Sequence, residues 1–182
     1  MSSKHRIYDN GHAHFITCTI VSWVNLFTRP LYNDIVLESL EHCRHTKGLE
    51  LYGYCLMSNH LHLIARAPDL AGCVRDFKKF TATKLYQAVE SNSQESRQGW
   101  LKWMFTANGS RTAANAHIQV WGQGYHPIEL SDFGRFEQRL NYVHQNPVRV
   151  GICFEAHQYR YSSAAQYAGL DAHPLLPVTL AW

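Results

Sequence analysis

The chain has 182 residues, enough for one compact domain with a substantial core but too few for two domains of ordinary size. Apolar residues make up 46% and charged residues 17%, a balance that excludes a disordered chain, and the absence of any run of about 18 apolar residues argues against a membrane span. The formal net charge of +3 at pH 7 is compatible with a nucleic-acid partner but too small to indicate one.

The first half of the chain alternates between strand and helix patterns. Residues 14–21 are rich in β-branched and aromatic side chains, which favour a strand. Residues 32–47 carry apolar side chains near helical spacing, and Gly48 follows as a helix stop signal. Residues 49–56 and 60–66 predict two further strands, which a short turn separates.

The second half of the chain predicts three helices and one strand. An amphipathic pattern indicates a helix over residues 70–90, and the polar residues 91–99 are typical of a loop. A short helix is predicted over residues 100–106 and a fourth strand over residues 116–121. The last predicted helix, residues 131–146, begins with a Ser-Asp pair that is suited to N-capping.

The predicted order is β-α-β-β-α-β followed by a last helix. It is typical of the split βαβ arrangement, in which one antiparallel four-stranded sheet carries helices on one face. We therefore predict an α+β fold of the ferredoxin-like or RRM-like type with an additional C-terminal helix. No repeat or domain boundary is evident, so residues 1–182 are expected to form a single domain, with a core over about residues 14–150 and a tail over 151–182. Such a fold supports many activities and does not decide function.

The cysteines and the N-terminal sequence predict a compartment. The five cysteines are scattered, odd in number and without a CxxC pair, which favours reduced, buried thiols over a disulfide framework or a zinc ribbon. The sequence MSSKHRIYDNGHAHF lacks the apolar stretch of a secretory signal. We therefore expect a cytoplasmic protein, and one associated with the nucleoid if its partner is DNA.

The sequence MSNHLHLI, residues 57–64, contains two histidines on one predicted strand. Side chains two residues apart on a strand point to the same face, with Cα atoms roughly 6.5–7 Å apart, so His60 and His62 can bind one metal ion. The chain has twelve histidines, however, and a second such pair, His12 and His14, lies at the start of the first strand. On spacing alone, ordinary structural histidines are the commoner interpretation.

The residues around this pair are more specific. The stretch YCLMSNHLHLIARAPD resembles the HUH signature, histidine-hydrophobic-histidine, of single-tyrosine transposases and relaxases. It is still more similar to the MPNHxHLL element of the REP-associated tyrosine transposases, with Ser58 in place of the usual proline. The stretch LNYVHQNPVRVG, residues 140–151, resembles the YIHxNPVRAG element of the same family. Further resemblances lie in RDFKKFTATKLY, in YRYSSAAQY and in WGQGYHPIEL, which has Pro127 where an acidic residue is common, so the similarity extends from about residue 15 to residue 167.

The resemblance implies a nucleophile. In that family a tyrosine attacks a DNA phosphorus and becomes linked to the 5′-phosphate, which keeps the phosphodiester energy in a covalent bond. The chain has ten tyrosines, and composition does not distinguish among them. The resemblance selects Tyr142 and makes the last helix the catalytic helix. The base for its phenol stays open between water bound to the metal ion and His144, which is the weaker candidate because it lies roughly 200° around the helix.

The resemblance also implies a third metal ligand. In the family a side chain four residues beyond the tyrosine completes the metal site, and here that residue is Asn146, a neighbour of Tyr142 on one helical face. The alternative role of Asn146 is structural, because Asn before Pro147 is a common start for a new helical turn. Together with His60 and His62, an amide oxygen suits Mg²⁺ or Mn²⁺ with open water positions better than a closed zinc cage.

Basic and aromatic side chains are candidates for DNA contacts. Arg75, Lys78, Lys79 and Lys84 give helix 70–90 a basic side. Such a side is ordinarily only a solvated face, but the family resemblance implies a phosphate contact there. Trp121 and Tyr125 are candidates for base stacking, with core packing as the commoner role for each. The predicted DNA-binding residues are Arg75, Lys78, Lys79, Arg135, Arg139 and Arg149.

We therefore predict an HUH transposase and endonuclease that cleaves and rejoins single-stranded DNA through a 5′-phosphotyrosine intermediate with a divalent metal. A hairpin-forming repeat is the expected substrate, the expected assembly is a monomer or homodimer, and no membrane partner is expected. One alternative is a module that binds structured DNA or RNA without chemistry. Another is a metal-dependent phosphodiesterase that forms no covalent intermediate. A tyrosine-linked adduct separates the three.

Overall fold

The computed structural model describes Ile7 and residues 11–110, 117–170 and 176–180. The strands are β1 (Ala13–Thr19), β2 (Glu50–Leu56), β3 (His60–Arg66) and β4 (Ile128–Leu130). The helices are α1 (Pro30–Lys47), α2 (Leu70–Ser91), α3 (Gln98–Gly109), α4 (Phe133–Arg149) and the short α5 (Ala164–Tyr167). Single turns of 3₁₀ helix, Val21–Trp23 and Ala156–Gln158, follow β1 and α4. Within the described residues, no helix combines the length and the apolar character needed to span a membrane.

The four strands form one sheet in the order β2-β3-β1-β4, and every neighbouring pair is antiparallel. This is the split βαβ topology, with α1 and α2 as its connecting helices, so the predicted α+β fold class is confirmed. The predicted bounds of β1, β2, β3, α1 and α2 differ from the observed ones by at most two residues at either end. Gly48 ends α1 with a φ of 62°, a left-handed conformation that glycine adopts without strain.

Both faces of the sheet are covered by helices. α1 and α2 pack on one face and enclose the larger apolar core, to which β3 contributes Leu61 and Leu63. α4 lies across the other face, where Phe15 and neighbouring side chains form a second apolar cluster. Because side chains alternate along a strand, His60 and His62 point to the α4 face.

The fourth strand is not where the sequence predicted it, at residues 116–121. The first of these residues lies outside the described part of the chain, and the next four form no strand. Trp121 makes a single backbone bridge to Ile20, whereas the N–H of Gln119 donates to the carbonyl of Phe105 in α3 at 2.9 Å. The prediction was wrong because contacts with α3, and not strand pairing, bury this apolar segment; the strand itself is the three-residue β4.

The connection between α2 and α3 contains a buried carboxylate. α3 begins two residues before the predicted helix 100–106 and ends three residues after it. The connection therefore spans residues 92–97, within the predicted loop 91–99. The Glu95 carboxylate, with none of its side-chain surface exposed, lies 3.0 Å from Nε of Arg29 and 3.0 Å from Nε of Arg97. These guanidinium groups, Arg97 above all, lower the pKa of Glu95 to about 2. The ion network therefore ties this connection to the start of α1.

α4 is longer than the sequence predicted. Asp132 caps it as expected, since its carboxylate accepts a hydrogen bond from the third N–H of the helix at 2.9 Å. The helix was predicted to end at Asn146, but it continues through Pro147 to Arg149. A proline this close to the helix end removes one intrahelical hydrogen bond, and the burial of its ring offsets the loss. Gly151, with a φ of 74°, then turns the chain away.

Residues 159–163 lie along the outer edge of β2. The N–H of Leu56 donates to the carbonyl of Tyr161 at 2.8 Å, and the N–H of Ser163 donates to the carbonyl of Tyr54 at 3.0 Å. This segment, called the edge segment below, satisfies backbone groups that the last strand of a sheet would otherwise expose.

Candidate active site

β3 places His60 and His62 side by side on the α4 face of the sheet. Their partners on β1 are Thr19 and Thr17. The two imidazole rings have centroids 4.5 Å apart and planes inclined at 71°. His62 is almost fully buried and His60 is partly exposed, so the pair spans the border between the interior and solvent.

One nitrogen of each imidazole is held by a neighbouring side chain. Nδ1 of His62 lies 2.9 Å from the hydroxyl of Thr17, and Nδ1 of His60 lies 2.6 Å from the amide oxygen of Asn59. Since that oxygen only accepts, Nδ1 of His60 donates and its Nε2 carries the lone pair. Nε2 of His62 is buried and has no hydrogen-bond partner among the described residues. A buried ring nitrogen without a partner fits a metal ligand.

Burial lowers the pKa of both imidazoles. For His62 desolvation is the largest cause, and with the charges of His60 and Arg139 it lowers the pKa to about 3. The pKa of His60 is lowered by desolvation alone. Both rings are therefore neutral near pH 7, which is the form in which imidazole binds a metal ion.

α4 brings Tyr142 against the histidine pair. Phe136 and Val143 anchor this helix to the sheet through buried side chains. The Tyr142 ring then lies edge-on to His62, with 5.4 Å between centroids, and edge-on to Phe15, with 5.9 Å. The predicted nucleophile and the predicted metal ligands thus meet within one chain.

Two guanidinium groups lie near the Tyr142 ring. Cζ of Arg149 is 5.2 Å from its centroid and Cζ of Arg139 is 6.0 Å from it. Arg135, another predicted DNA-binding residue, pairs with Asp132 at 3.2 Å at the start of α4, and its side chain is largely exposed. The positive charge beside the tyrosine is therefore that of Arg139 and Arg149.

Asn146 lies one helical turn after Tyr142. Its Nδ2 donates to the backbone carbonyl of Tyr142 at 2.7 Å, a bond that leaves Oδ1 as the atom available to a cation. In the described part of the chain, no three or more His, Cys, Asp and Glu side chains are grouped so as to hold a metal ion. A metal bound by the two histidines would therefore take its next protein ligand from another residue type, which the amide oxygen of Asn146 can supply.

His144 has a structural position. Its Nε2 lies 2.9 Å from Oγ of Ser163, which is also hydrogen-bonded to the backbone of Tyr54 on β2. Burial lowers the pKa of His144 to about 4. These contacts join α4 to the edge segment and to the sheet.

The basic residues predicted on α2 have different environments. Nζ of Lys78 donates to the carbonyls of Gly122 and Gly124, both at 2.7 Å, and burial lowers its pKa. This ammonium group is engaged inside the protein. Arg75 and Lys79 are exposed, on a helix that packs on the sheet face opposite to the histidines.

The two aromatic candidates for base stacking belong to the core. Trp121 is buried, and its indole N–H donates to the hydroxyl of Thr81 at 2.8 Å. Tyr125 packs against the same core and is partly buried. A third aromatic residue, Trp23, was not among the predicted candidates; it is 69% exposed, and its ring centroid lies 6.4 Å from that of His60. The available signal was weak, an aromatic residue shortly after the first strand.

Comparisons with known proteins identify the family and the fold. The family model described as "Transposase IS200 like" matches residues 7–106, which include β3 and both of its histidines. Among solved structures, a REP-associated tyrosine transposase bound to a REP hairpin is similar to the chain with a TM-score of 0.67 and 14% sequence identity. The similarity covers 100% of this chain and 94% of that one. No match was found among curated proteins.

Proposed function

Because the chain belongs to the family of IS200-like transposases, which act on DNA, we propose that it cleaves and rejoins single-stranded DNA through Tyr142. The observation that carries this proposal is the contact of Tyr142 with His62, whose ring centroids are 5.4 Å apart. At this point a phenol, two neutral imidazoles and two guanidinium groups come together. Such a set can bind a phosphodiester and supply a nucleophile to it.

In the proposed reaction Oη of Tyr142 attacks a phosphorus atom of the DNA strand. A bond forms between Oη and phosphorus, and the bond from phosphorus to the 3′-oxygen breaks. The phenol gives up its proton to solvent and the departing 3′-oxygen takes one up, so the cleaved strand ends in a 3′-hydroxyl. The 5′-phosphate stays on Tyr142 as a phosphodiester, and attack by another 3′-hydroxyl restores the tyrosine and rejoins DNA.

Arg139 and Arg149 would bind the phosphate under attack. Guanidinium groups stay charged at physiological pH and match phosphate oxygens with two parallel N–H donors. Charge on those oxygens grows as the phosphorus accepts the nucleophile, so both groups stabilise the transition state more than the ground state. Their position over the Tyr142 ring supports this role, because it places two positive charges beside the proposed nucleophile.

His60, His62 and Asn146 would hold Mg²⁺ or Mn²⁺. The unpartnered Nε2 of His62 and the neutral state of both imidazoles support this assignment. A bound divalent ion supplies a Lewis acid that polarises the phosphate and stabilises the leaving oxygen. Because all three side chains are uncharged, they would leave the charge of the ion uncompensated and available to an anionic substrate.

A hairpin-forming repeat is the proposed substrate. The similar transposase of solved structure is bound to a REP hairpin, and this chain shares its fold over its whole length. The exposed Arg75 and Lys79 lie outside the site around Tyr142, where they would contact backbone phosphates away from the cleaved bond. The hairpin would thus be held by sequence-independent contacts while its single-stranded extension enters the site.

We further propose that a single chain is sufficient for cleavage. Tyr142 contacts His62 of its own chain, and Arg139 and Arg149 lie on the same helix as Tyr142. Under this proposal dimerisation is not required to complete the site, and the rate of cleavage per chain is independent of protein concentration.

The covalent intermediate is the test of the proposed reaction. Hairpins drawn from repeats that flank the coding region of the protein are incubated with it and Mn²⁺, and the products are analysed by mass spectrometry. We expect a 5′-phosphate adduct on Tyr142 and a free 3′-hydroxyl. Tyr142→Phe keeps the ring contacts but lacks Oη, so it should bind the hairpin and form no adduct. Cleavage by this variant would indicate a water nucleophile and therefore a phosphodiesterase, whereas an adduct on another tyrosine would overturn the choice of residue.

A further inference from the structure

Trp23 is an exposed aromatic residue at the rim of the proposed active site. It lies in the single 3₁₀ turn Val21–Trp23, which follows β1, and its ring centroid is 6.4 Å from that of His60. Its indole is 69% exposed, although tryptophan is among the side chains that gain most from burial. An exposed indole beside a predicted metal ligand is a feature that folding alone does not explain.

The backbone that carries this indole is strained. Ser22 and Trp23 have φ values of 56° and 57°, in the left-handed region that bulky residues rarely occupy. The conformation is held by hydrogen bonds from the N–H of Trp23 to the carbonyl of Ile20 at 3.1 Å and from the side chain of Asn59 to the carbonyl of Trp23 at 3.3 Å. Since the ring is not buried, its packing does not offset the cost of this conformation. Strain maintained without such an offset is characteristic of functional positions.

Asn59 couples the backbone of Trp23 to the histidine pair. Its side-chain amide donates to the backbone carbonyl of Trp23, and its amide oxygen accepts from Nδ1 of His60 at 2.6 Å. One intervening side chain therefore holds the Trp23 backbone beside the imidazole. A ligand that binds at His60 will meet the same face of the protein as the indole.

The chemistry of an exposed indole identifies the ligand. Every nucleobase has an aromatic face, and stacking of unpaired bases on aromatic side chains is a main source of affinity in proteins that bind single-stranded DNA. We propose that Trp23 is a stacking platform for one unpaired nucleobase, in the nucleotide next to the phosphate that Tyr142 attacks. This inference rests on the proposed function, since it requires a DNA strand at the histidine pair.

The test combines changes in the protein with changes in the DNA. Binding is measured with hairpins drawn from the flanking repeats, in a Tyr142→Phe background so that no strand is cut. Each hairpin of a series carries one abasic nucleotide in its single-stranded extension. Trp23→Ala should weaken binding of the intact hairpin about tenfold. One abasic position should cause the same loss with Trp23 present and no further loss with alanine, because both changes remove the same contact.

Two variants separate stacking from folding. Trp23→Gly removes the indole and relieves the left-handed strain, so it should raise or preserve the melting temperature while weakening DNA binding as alanine does. Trp103→Ala removes another exposed indole, on α3, and should leave binding unchanged. A glycine variant that loses stability together with binding would show that Trp23 is structural and would overturn the inference.

The remaining outcomes distinguish this inference from the proposed function. Binding losses that add at every abasic position, or a Trp23→Ala variant that binds as tightly as its parent, would reject the stacking platform alone. One abasic position that weakens binding only when Trp23 is present, together with no adduct on Tyr142 in the unmodified protein, would support the stacking platform and reject the proposed reaction. The protein would then bind DNA without cutting it.

Discussion

Thr17 and His62 face each other across β1 and β3, and the threonine hydroxyl lies 2.9 Å from Nδ1 of the imidazole. The imidazole is 4% exposed, so few other groups can take the place of this hydroxyl. When the hydroxyl accepts from Nδ1, the lone pair of the ring is on Nε2, the atom without a hydrogen-bond partner in the described structure. In this arrangement the Thr17 hydroxyl leaves Nε2 as the ring nitrogen that can bind a metal ion.

Thr17→Val is expected to weaken metal binding without removing a ligand. Valine has the shape of threonine but offers no hydrogen bond, so the ring loses its orientation and its preferred tautomer, at a cost of about tenfold in Mn²⁺ affinity. Isothermal titration calorimetry measures this affinity directly. Thr19→Val, the same change on the same face of β1 but opposite His60, is the matched control and should bind Mn²⁺ as the parent does. Equal losses in both variants would refute a specific role for the Thr17 hydroxyl.

His60→Ala and His62→Ala should each abolish stabilisation by metal. A ligand that binds only the folded state raises the melting temperature, and loss of either imidazole removes one of the proposed coordinating atoms. Melting curves with and without Mn²⁺ provide a readout that does not depend on DNA cleavage. His12→Ala tests the other histidine pair at an exposed position and should keep the metal-induced rise. If His12→Ala alone lost it, the metal site would have been assigned to the wrong pair.

Lys78→Ala and Lys79→Ala should have different effects. Removing the Lys78 ammonium leaves the carbonyls of Gly122 and Gly124 without its two hydrogen bonds, so we expect a stability loss of about 1–2 kcal/mol. Lys79 is exposed, and its replacement should leave stability unchanged but reduce the slope of log affinity against log salt by about 0.9, the value for one phosphate contact on the duplex stem of the hairpin. Urea denaturation and DNA binding at several salt concentrations measure the two effects. A slope unaffected by Lys79→Ala would show that Lys79 makes no phosphate contact and is only a solvated residue of α2.

Glu95 should contribute to stability in a defined pH range. Its pKa is about 2 in the folded protein, against about 4.5 for an unperturbed side chain, because Arg97 and Arg29 stabilise the carboxylate. The contribution is therefore complete above about pH 4.5 and is lost as the pH falls towards 2. Glu95→Gln should cost about 2 kcal/mol at pH 7 and remove this part of the acid dependence, as measured by denaturant unfolding at each pH. Glu38→Gln, at an exposed position on α1, should reproduce the parental profile.

The sequence predicted those parts of the fold that local patterns determine. The bounds of β3 were predicted without error, because its residues are strand formers between two chain-breaking segments. His60 and His62 had to share a face once they were on one strand. β4 was missed because it has only three residues and depends on pairing with β1, whereas the apolar segment before it is buried by contacts with α3.

Side-chain partners at the site depend on contacts between distant parts of the chain, which a local pattern does not contain. Lys78 and Lys79 are adjacent and identical in the sequence, yet one is bound to a loop that follows α3 and the other faces solvent. Arg135 and Arg139 were both predicted to bind DNA, but Asp132 forms an ion pair with Arg135. Trp23 has no periodic signal at all, since a single turn with left-handed backbone determines where it points.

The edge segment has a consequence for how the enzyme becomes active during synthesis. Ser163 links His144 on α4 to the backbone of β2, and residues 159–163 are made after both histidines and Tyr142 have been incorporated. A nascent or truncated chain that ends before this segment therefore contains the complete set of proposed catalytic residues but lacks the hydrogen bonds through which Ser163 links α4 to the sheet. Such a chain would also expose the bare edge of β2, a template for aggregation. The proposed cleavage would thus be expected only of chains that include residues 159–163.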